Sequence, residues 1–466
     1  MIHLKNGTYI DWQTLEFKHI DILVEEGMEG SIRFFDALNP GSKPGLNSLT
    51  PGSKPGLNPL TPSLNPGLNS LIPDPSHGWS GEPQMPETQR IIDCTGKFIT
   101  KSFANGHHHV YSALARGMPP PKKNPENFLE ILQYIWWNLD KALDQEMIRA
   151  SALVTAMACA KNGVTFVIDH HASPNAVSGS LETIAQAFDE VGVGHLLCYE
   201  ISDRDGREIA RKGLTESADY LTKRQGLVGL HASFTVGDDT LTQAVKLAEQ
   251  TNSGIHIHVA EDKSDEEHCV AHYHQRVVGR LSESGALQFP KTILAHCLHL
   301  DDHERSLVEG SPAWVVQNME SNLNNSVGFF NSKGLGRRIM LGTDGMHSDM
   351  LRSAKSAFLA GHNFDKINYD EAYRRFRNVH HYLHSNGLPG DGDNNLVVLD
   401  YDSPTPLAAD NFLGHFIFGF GSQNISHVIS QGKLILEHGR ITCVDEAKIL
   451  EESQLQAKKL WKRMTQ

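Results

Sequence analysis

The sequence predicts an α/β protein, a (β/α)8 barrel of the TIM type, with a small β-sandwich domain assembled from both chain ends. Three observations predict it. Short β-branched runs alternate with longer amphipathic stretches from about residue 91 to 388, as parallel strands with crossover helices do. Histidines and acids recur just after the apolar runs, where barrel enzymes keep their chemistry. Both chain ends carry an alternating apolar–polar texture instead, which reads as half-buried strands.

Residues 1–36 form the first part of the sandwich, with Tyr9-Ile10-Asp11-Trp12 and Ile20–Val24 as its alternating runs. Residues 37–89 hold an 11-residue tandem repeat: Pro40–Thr50, Pro51–Thr61 and a drifted copy, Pro62–Ile72. Its Pro, Gly, Ser and Asn cannot bury enough apolar surface to offset ordering entropy, so a disordered insertion is expected. Deleting residues 38–76 should therefore leave folding and activity intact. Residues 90–388 form the barrel. Its expected strands include Val164–Ile168, Leu196–Glu200, Leu227–Leu230, Gly254–Val259, Thr292–Ala295, Trp314–Gln317 and Ile339–Leu341. Helices are expected at Glu182–Val191, Asp239–Gln250 and His268–Ser284. Residues 389–466 complete the sandwich and add a closing helix, Asp445–Met464.

Bulk properties narrow the function. A net charge of -13 argues against a nucleic-acid partner and leaves a small-molecule substrate. Six scattered cysteines without a Cys-x-x-Cys pair fit a reduced, cytoplasmic protein. No apolar run approaches 18 residues, so no membrane span is expected.

The chemistry sits in four places. His107-His108-His109 follows Phe103-Ala104-Asn105-Gly106; on a strand, His107 and His109 share a face and His108 points the other way. Ile255–Glu261 presents His256 and His258 on one face and then a carboxylate, Glu261. Thr292–His296 ends in a histidine, and Met340–Asp344 ends in an aspartate. A lone strand histidine is more often a hydrogen-bonded core residue. Four such groups in order, all at strand ends, point to a metal hydrolase.

This set resembles the amidohydrolase superfamily, in its cytosine-deaminase and chlorohydrolase branch. A closer resemblance, to SsnA-type aminohydrolases, rests on Tyr111–Met118, Trp136–Asp144, Val167–Pro174 and Ser403–Asp410. The resemblance implies His107, His109, His258 and Asp344 as ligands of one divalent metal ion, with Zn²⁺ favoured and Fe²⁺ compatible. It implies one metal because Gly229–Phe234 lacks the lysine that bridges two-metal members. Asp344 would take a proton from the metal's water, His296 would stabilise the developing charge, and Glu261 would act as the proton donor.

His170, His231, His256, Arg116 and Asn322 are candidates for substrate contact, each with a packing or structural role as its alternative. Trp136 and Trp137 read as core or lid packing. His108 should point into the barrel–helix layer. The chain departs from the family at Lys101-Ser102-Phe103, where Pro-Gly-Phe is usual.

The expected activity is hydrolysis of a C–N bond of a nitrogen heterocycle or guanidine-like group by metal-bound hydroxide, releasing ammonia. A hydrolytic dechlorinase or N-dealkylase is the alternative enzyme, and a catalytically silent barrel the alternative class. The branch is often dimeric or larger, so a homo-oligomer is compatible.

Overall fold

The computed structural model describes residues 1–28, 30–35 and 90–465. The tandem repeat, and with it the expectation of a disordered insertion, lies outside the described residues.

The N-terminal strands are β1 (Ile2–Ile10), β2 (Phe17–Val24), β3 (Ile32–Phe35), β4 (Arg90–Asp93) and β5 (Phe98–Lys101). Eight further strands follow: β6 (Phe103–His108), β7 (Val164–His171), β8 (Gly194–Tyr199), β9 (Val228–Ala232), β10 (Ile255–Val259), β11 (Ile293–His296), β12 (Trp314–Gln317) and β13 (Ile339–Leu341). The C-terminal strands are β14 (Leu396–Leu399), β15 (Ile425–Ser430), β16 (Lys433–Glu437) and β17 (Arg440–Ile441).

The chain ends meet. β14 runs antiparallel to β5, with Leu396 opposite Lys101, and β5 pairs with β1. The described end strands form one nine-stranded hydrogen-bonded sheet, where two sandwiched sheets were expected. Strands β4 and β5 belong to it, so the parallel region begins at Phe103.

Strands β6–β8 and β9–β13 form two parallel sheets. Every residue of β7, β9, β10, β11, β12 and β13 is buried, as strands covered on both faces must be. Single parallel bridges join the sheet edges: Leu197 with Gly226 and Ile201 with Leu230 on one side, His108 with Asp344 on the other. Gly106 makes the second junction sterically feasible, since a Cβ there would sit 2.8 Å from the Leu341 carbonyl oxygen.

Two sequence features resolve here. The stretch expected as one helix, His268–Ser284, lies in two helices, Lys263–Tyr273 and Val277–Glu283. His274 takes a left-handed conformation (φ 58°), and Arg276 is drawn out to Glu304 (2.7 Å) and Asp301 (3.0 Å). The Lys101-Ser102 departure is accommodated by polar bonds. Lys101 Nζ, buried, donates to Asp391 O (2.9 Å) and Gly392 O (2.6 Å) and pairs with Asp391 Oδ1 at 3.0 Å. Ser102 Oγ meets Thr165 Oγ1 at 2.6 Å, and Arg377 donates to both backbone carbonyls. Among the described residues no helix is long and apolar enough to cross a membrane.

Candidate active site

Strand alternation puts His107 and His109 on one face at the end of β6, their rings 4.8 Å apart. β10 brings His258, whose Nε2 lies 3.1 Å from His109 Nε2. The turn after β13 brings Asp344, with Oδ1 3.1 Å from His109 Nε2 and 3.4 Å from His107 Nε2. His296, from the end of β11, places Nε2 3.9 Å from Asp344 Oδ2 and 3.5 Å from Glu261 Oε2.

Hydrogen bonds decide which ring nitrogen faces the centre. His109 Nδ1 donates to His170 O (2.6 Å) and His258 Nδ1 donates to His231 O (2.8 Å), so both rings turn Nε2 to the centre. His107 Nδ1 meets His256 Nε2 at 2.9 Å, and His256 Nδ1 lies 3.6 Å from Cys198 Sγ. His296 differs: Asn322 Nδ2 donates to its Nδ1 (2.8 Å), which leaves the proton on Nε2. His296 therefore presents a donor, while His109 and His258 turn Nε2 to the centre.

Backbone strain collects at the same place. Ala260 (φ 45°), His296 (73°), Cys297 (55°) and Asp344 (51°) all sit in the left-handed region that non-glycine residues avoid. Ala260 turns the chain between His258 and Glu261. Its N–H donates to Asp265 Oδ2 at 3.0 Å. The turn at Asp344 is held from behind: its N–H donates to His107 O (3.0 Å) and its carbonyl accepts from His108 Nδ1 (2.6 Å).

The electrostatics are compatible with a cation. Burial holds His258 well below the ordinary imidazole value and His107 down to about 3, so both rings are neutral, the form in which imidazole binds a metal. Burial opposes a charge on His109, yet the Asp344 carboxylate beside it holds it up to about 9. A divalent ion would take the place of that His109 proton beside Asp344, since metal binding releases protons from its ligands. His107 Nε2 is moreover buried without a hydrogen-bond partner. Ligand atoms of His107, His258, His296 and Asp344 lie within 4.8 Å of one another. Two overlapping triads, His109–His170–His258 and Glu200–His231–His258, share His258, so this is one centre. These residues fit a metal ion.

A cavity of about 490 Å³ opens over the centre. Of the candidates for substrate contact, it reaches His231 and Arg116. Arg116 is exposed at its wall. His170 does not line it: the ring is fully buried, with Nε2 on the carbonyls of Leu230 and His256 (3.1 Å each) and Nδ1 3.2 Å from Glu200. His256 and Asn322 are also fully buried and act on His107 and His296. His171 turns to Ser173 Oγ at 3.0 Å. Trp136 and Trp137, expected as packing, both line the cavity. Ser321, in the Gln317–Ser326 segment whose family resemblance marks it as shaping the site, donates through Oγ to Asp344 Oδ2 (2.5 Å), whereas sequence reasoning passed over Asp140 and Glu200 on the cavity wall. Glu200 had a signal, a carboxylate directly after β8; Asp140 on a helix had none.

The amidohydrolase family's sequence pattern matches residues 98–375, well over half of the chain. The chain belongs to the amidohydrolase family. Together with the histidine–aspartate centre, this makes it a metal-dependent hydrolase of the type that acts on carbon–nitrogen bonds. Its relatives include a 5-methylthioadenosine/S-adenosylhomocysteine deaminase of Thermoanaerobacter pseudethanolicus, 25% identical over 81% of this chain and 90% of that one. Another is a 5'-deoxyadenosine deaminase of Methanopyrus kandleri, 28% identical over 80% of this chain and 88% of that one. Among solved structures, a zinc-bound adenosine deaminase from Xanthomonas campestris superposes with TM-score 0.76, 17% identity and 98% coverage of both chains. A zinc complex of atrazine chlorohydrolase from Arthrobacter aurescens gives TM-score 0.73 and 14% identity, covering 98% of this chain and 100% of that one. These relatives do not single out the SsnA-type branch.

Proposed function

We propose that this amidohydrolase is a mononuclear, zinc-dependent deaminase acting on a nitrogen heterocycle, built on a closed (β/α)8 barrel. The observation that carries the reading is the convergence of His107, His109, His258 and Asp344, with Glu261 and a proton-bearing His296 beside them. Three imidazoles and a carboxylate suit Zn²⁺, and the bridges at both sheet edges support barrel closure. The deaminases among its relatives favour ammonia as the leaving group. An SsnA-type affiliation and a cytoplasmic setting belong to this proposal, resting on the motif segments and the cysteine pattern.

When bound, a divalent ion lowers the pKa of a coordinated water to about 7. Asp344, with Oδ2 held by Ser321, takes the proton that the attacking water gives up. His296 Nε2–H donates to the negative charge that develops on attack, and Asn322 fixes the tautomer that makes this possible. Burial, reinforced by the Asp344 charge, pushes the Glu261 carboxyl well above the usual range, so it holds a proton to give to a ring nitrogen. Protonation there makes the attacked carbon more electrophilic; the proton held by Asp344 then goes to the departing amine, and the hydroxyl proton of the addition product returns to Glu261 as the carbonyl forms.

The test is ammonia release by metal-loaded protein from purines, adenosine-type nucleosides, pyrimidines, pterins and triazines. Release from at least one ring is expected. Chloride or alkylamine release from triazines without ammonia from any ring would replace the deaminase by the dechlorinase or N-dealkylase reading.

A further inference from the structure

The cavity wall formed by helix Trp137–Ala142 and the end of β8 carries polar atoms that the reaction above does not use. Arg204 donates to Glu200 Oε1 at 2.6 Å and to Asp140 Oδ2, and its Nε lies 3.3 Å from Asp205. The guanidinium also sits 5.3 Å over the Trp137 ring. These contacts hold Asp140 through one oxygen only. Asp140 is 1% exposed, its Oδ1 has no hydrogen-bond partner, and the residue lines the cavity. Trp137 Nε1 is likewise buried without a partner, and Trp137 is among the residues that line the cavity.

The two residues stand three apart on one helix, hence on one face. A π-turn, Leu132–Trp136, enters this helix; such turns re-aim side chains at functional sites. Indole Nε1 can only donate, and an ionised carboxylate can only accept. Buried polar atoms left unmet by the protein are met by something else. The nearby Trp136, Phe128 and Phe234 rings suit a flat molecule.

We propose that Asp140 Oδ1 and Trp137 Nε1 form a recognition subsite for a lactam edge, an adjacent N–H and C=O, on an amino-substituted oxo-heterocycle. The N–H donates to Asp140 and the C=O accepts from Trp137. This rests on the deaminase reading for its amino group, and it sets the substrate apart from a plain aminopurine such as adenine, which has no carbonyl.

The experiment is calorimetric binding to metal-loaded protein of isocytosine, guanine and 8-oxoadenine, each against its derivative N-methylated on the lactam. Wild type is compared with Trp137→Phe and Asp140→Asn, with melting temperature as the check on folding. At least one free lactam should bind roughly tenfold or more tighter than its methylated partner, because a site built to bond a group rejects the ligand lacking it. Trp137→Phe should cost that lactam about tenfold while moving its methylated partner by less than about threefold. If Asp140→Asn fails to fold, Trp137→Phe decides the matter alone. Equal binding of the free and methylated rings, no binding of any ring, or wild-type affinity in Trp137→Phe overturns the subsite. Ammonia release without lactam preference would leave the deaminase standing and remove the subsite. Lactam-selective binding without ammonia release from any ring would do the reverse.

Discussion

Asp344 is the residue on which the centre turns. It touches His107 and His109 through one oxygen and Ser321 through the other, while His108 anchors its carbonyl. The middle histidine of the triplet is a buried brace, outside the ligand set proposed above. His108→Gln should retain the metal and lower the melting temperature, whereas His109→Gln should lose the metal, both read by elemental analysis and thermal unfolding. A metal-free His108→Gln beside a metal-loaded His109→Gln would show that the strand register assigned to β6 is wrong. Glu261 makes the complementary case. Its carboxyl lies 3.5 Å from His296 Nε2 and is not part of the ligand set proposed above. Glu261→Gln should keep metal stoichiometry and reduce turnover by about 10²–10⁴-fold, the range for a lost general acid. Near-normal kcat would remove it from the reaction.

Elements hold these residues through junctions that the helix and strand patterns do not announce. One is the clasp where β5 passes into β6. Lys101 and His380 both bind Asp391, at 3.0 and 2.7 Å, with all three side chains buried. Burial works against the charge on Asp391, but His380 and Lys101 overcome it and hold the carboxyl below its ordinary value. Burial also lowers His380, to about 4. A depressed aspartate contributes stability that is complete above its unfolded pKa of about 3.9 and is lost as pH falls through the folded value. The wild-type melting temperature should thus fall steeply below about pH 4. Asp391→Asn should start about 3–5 kcal/mol less stable at neutral pH, as broken buried pairs do, and decline less steeply with acid. A variant that follows wild type at every pH would show that the clasp contributes nothing to folding.

The whole molecule ties the cavity to the far end of the chain. Helix Glu446–Met464 reaches Leu114 through Trp461 Nε1 (2.8 Å), Asn138 through the Met464 carbonyl (3.0 Å) and Asp144 through Arg463 (2.6 Å). It therefore backs the segments that carry Trp136, Trp137 and Asp140. The metal proposed above would be a second global tie, since His107, His109, His258 and Asp344 come from the end of β6, from β10 and from the turn after β13. A ligand that binds only the folded chain stabilises it by mass action, by about 4 kcal/mol at a thousand times its dissociation constant. Chelation should lower the melting temperature, and added Zn²⁺ should restore it. An unchanged melting temperature in protein shown to be metal-free would mean that the ion does not bridge those elements.

Local sequence pattern was enough for the parallel α/β core, the pairing of its two ends, and the strand ends at which His107, His109, His258, His296, Glu261 and Asp344 stand. These are legible because strand alternation is a local rule: two residues apart on a strand is one face, whatever the rest of the chain does. Which buried histidine serves what was settled by packing alone. His170, His256 and His231 look alike in the sequence, yet one is bonded to strand carbonyls, one backs His107 and one faces the cavity. Asp140, Trp137 and Arg204 come from a helix and a loop, and only packing brings them to one wall. A histidine's role is set by what its second nitrogen meets, and that partner comes from a strand 60 or 149 positions away, beyond the reach of any local pattern.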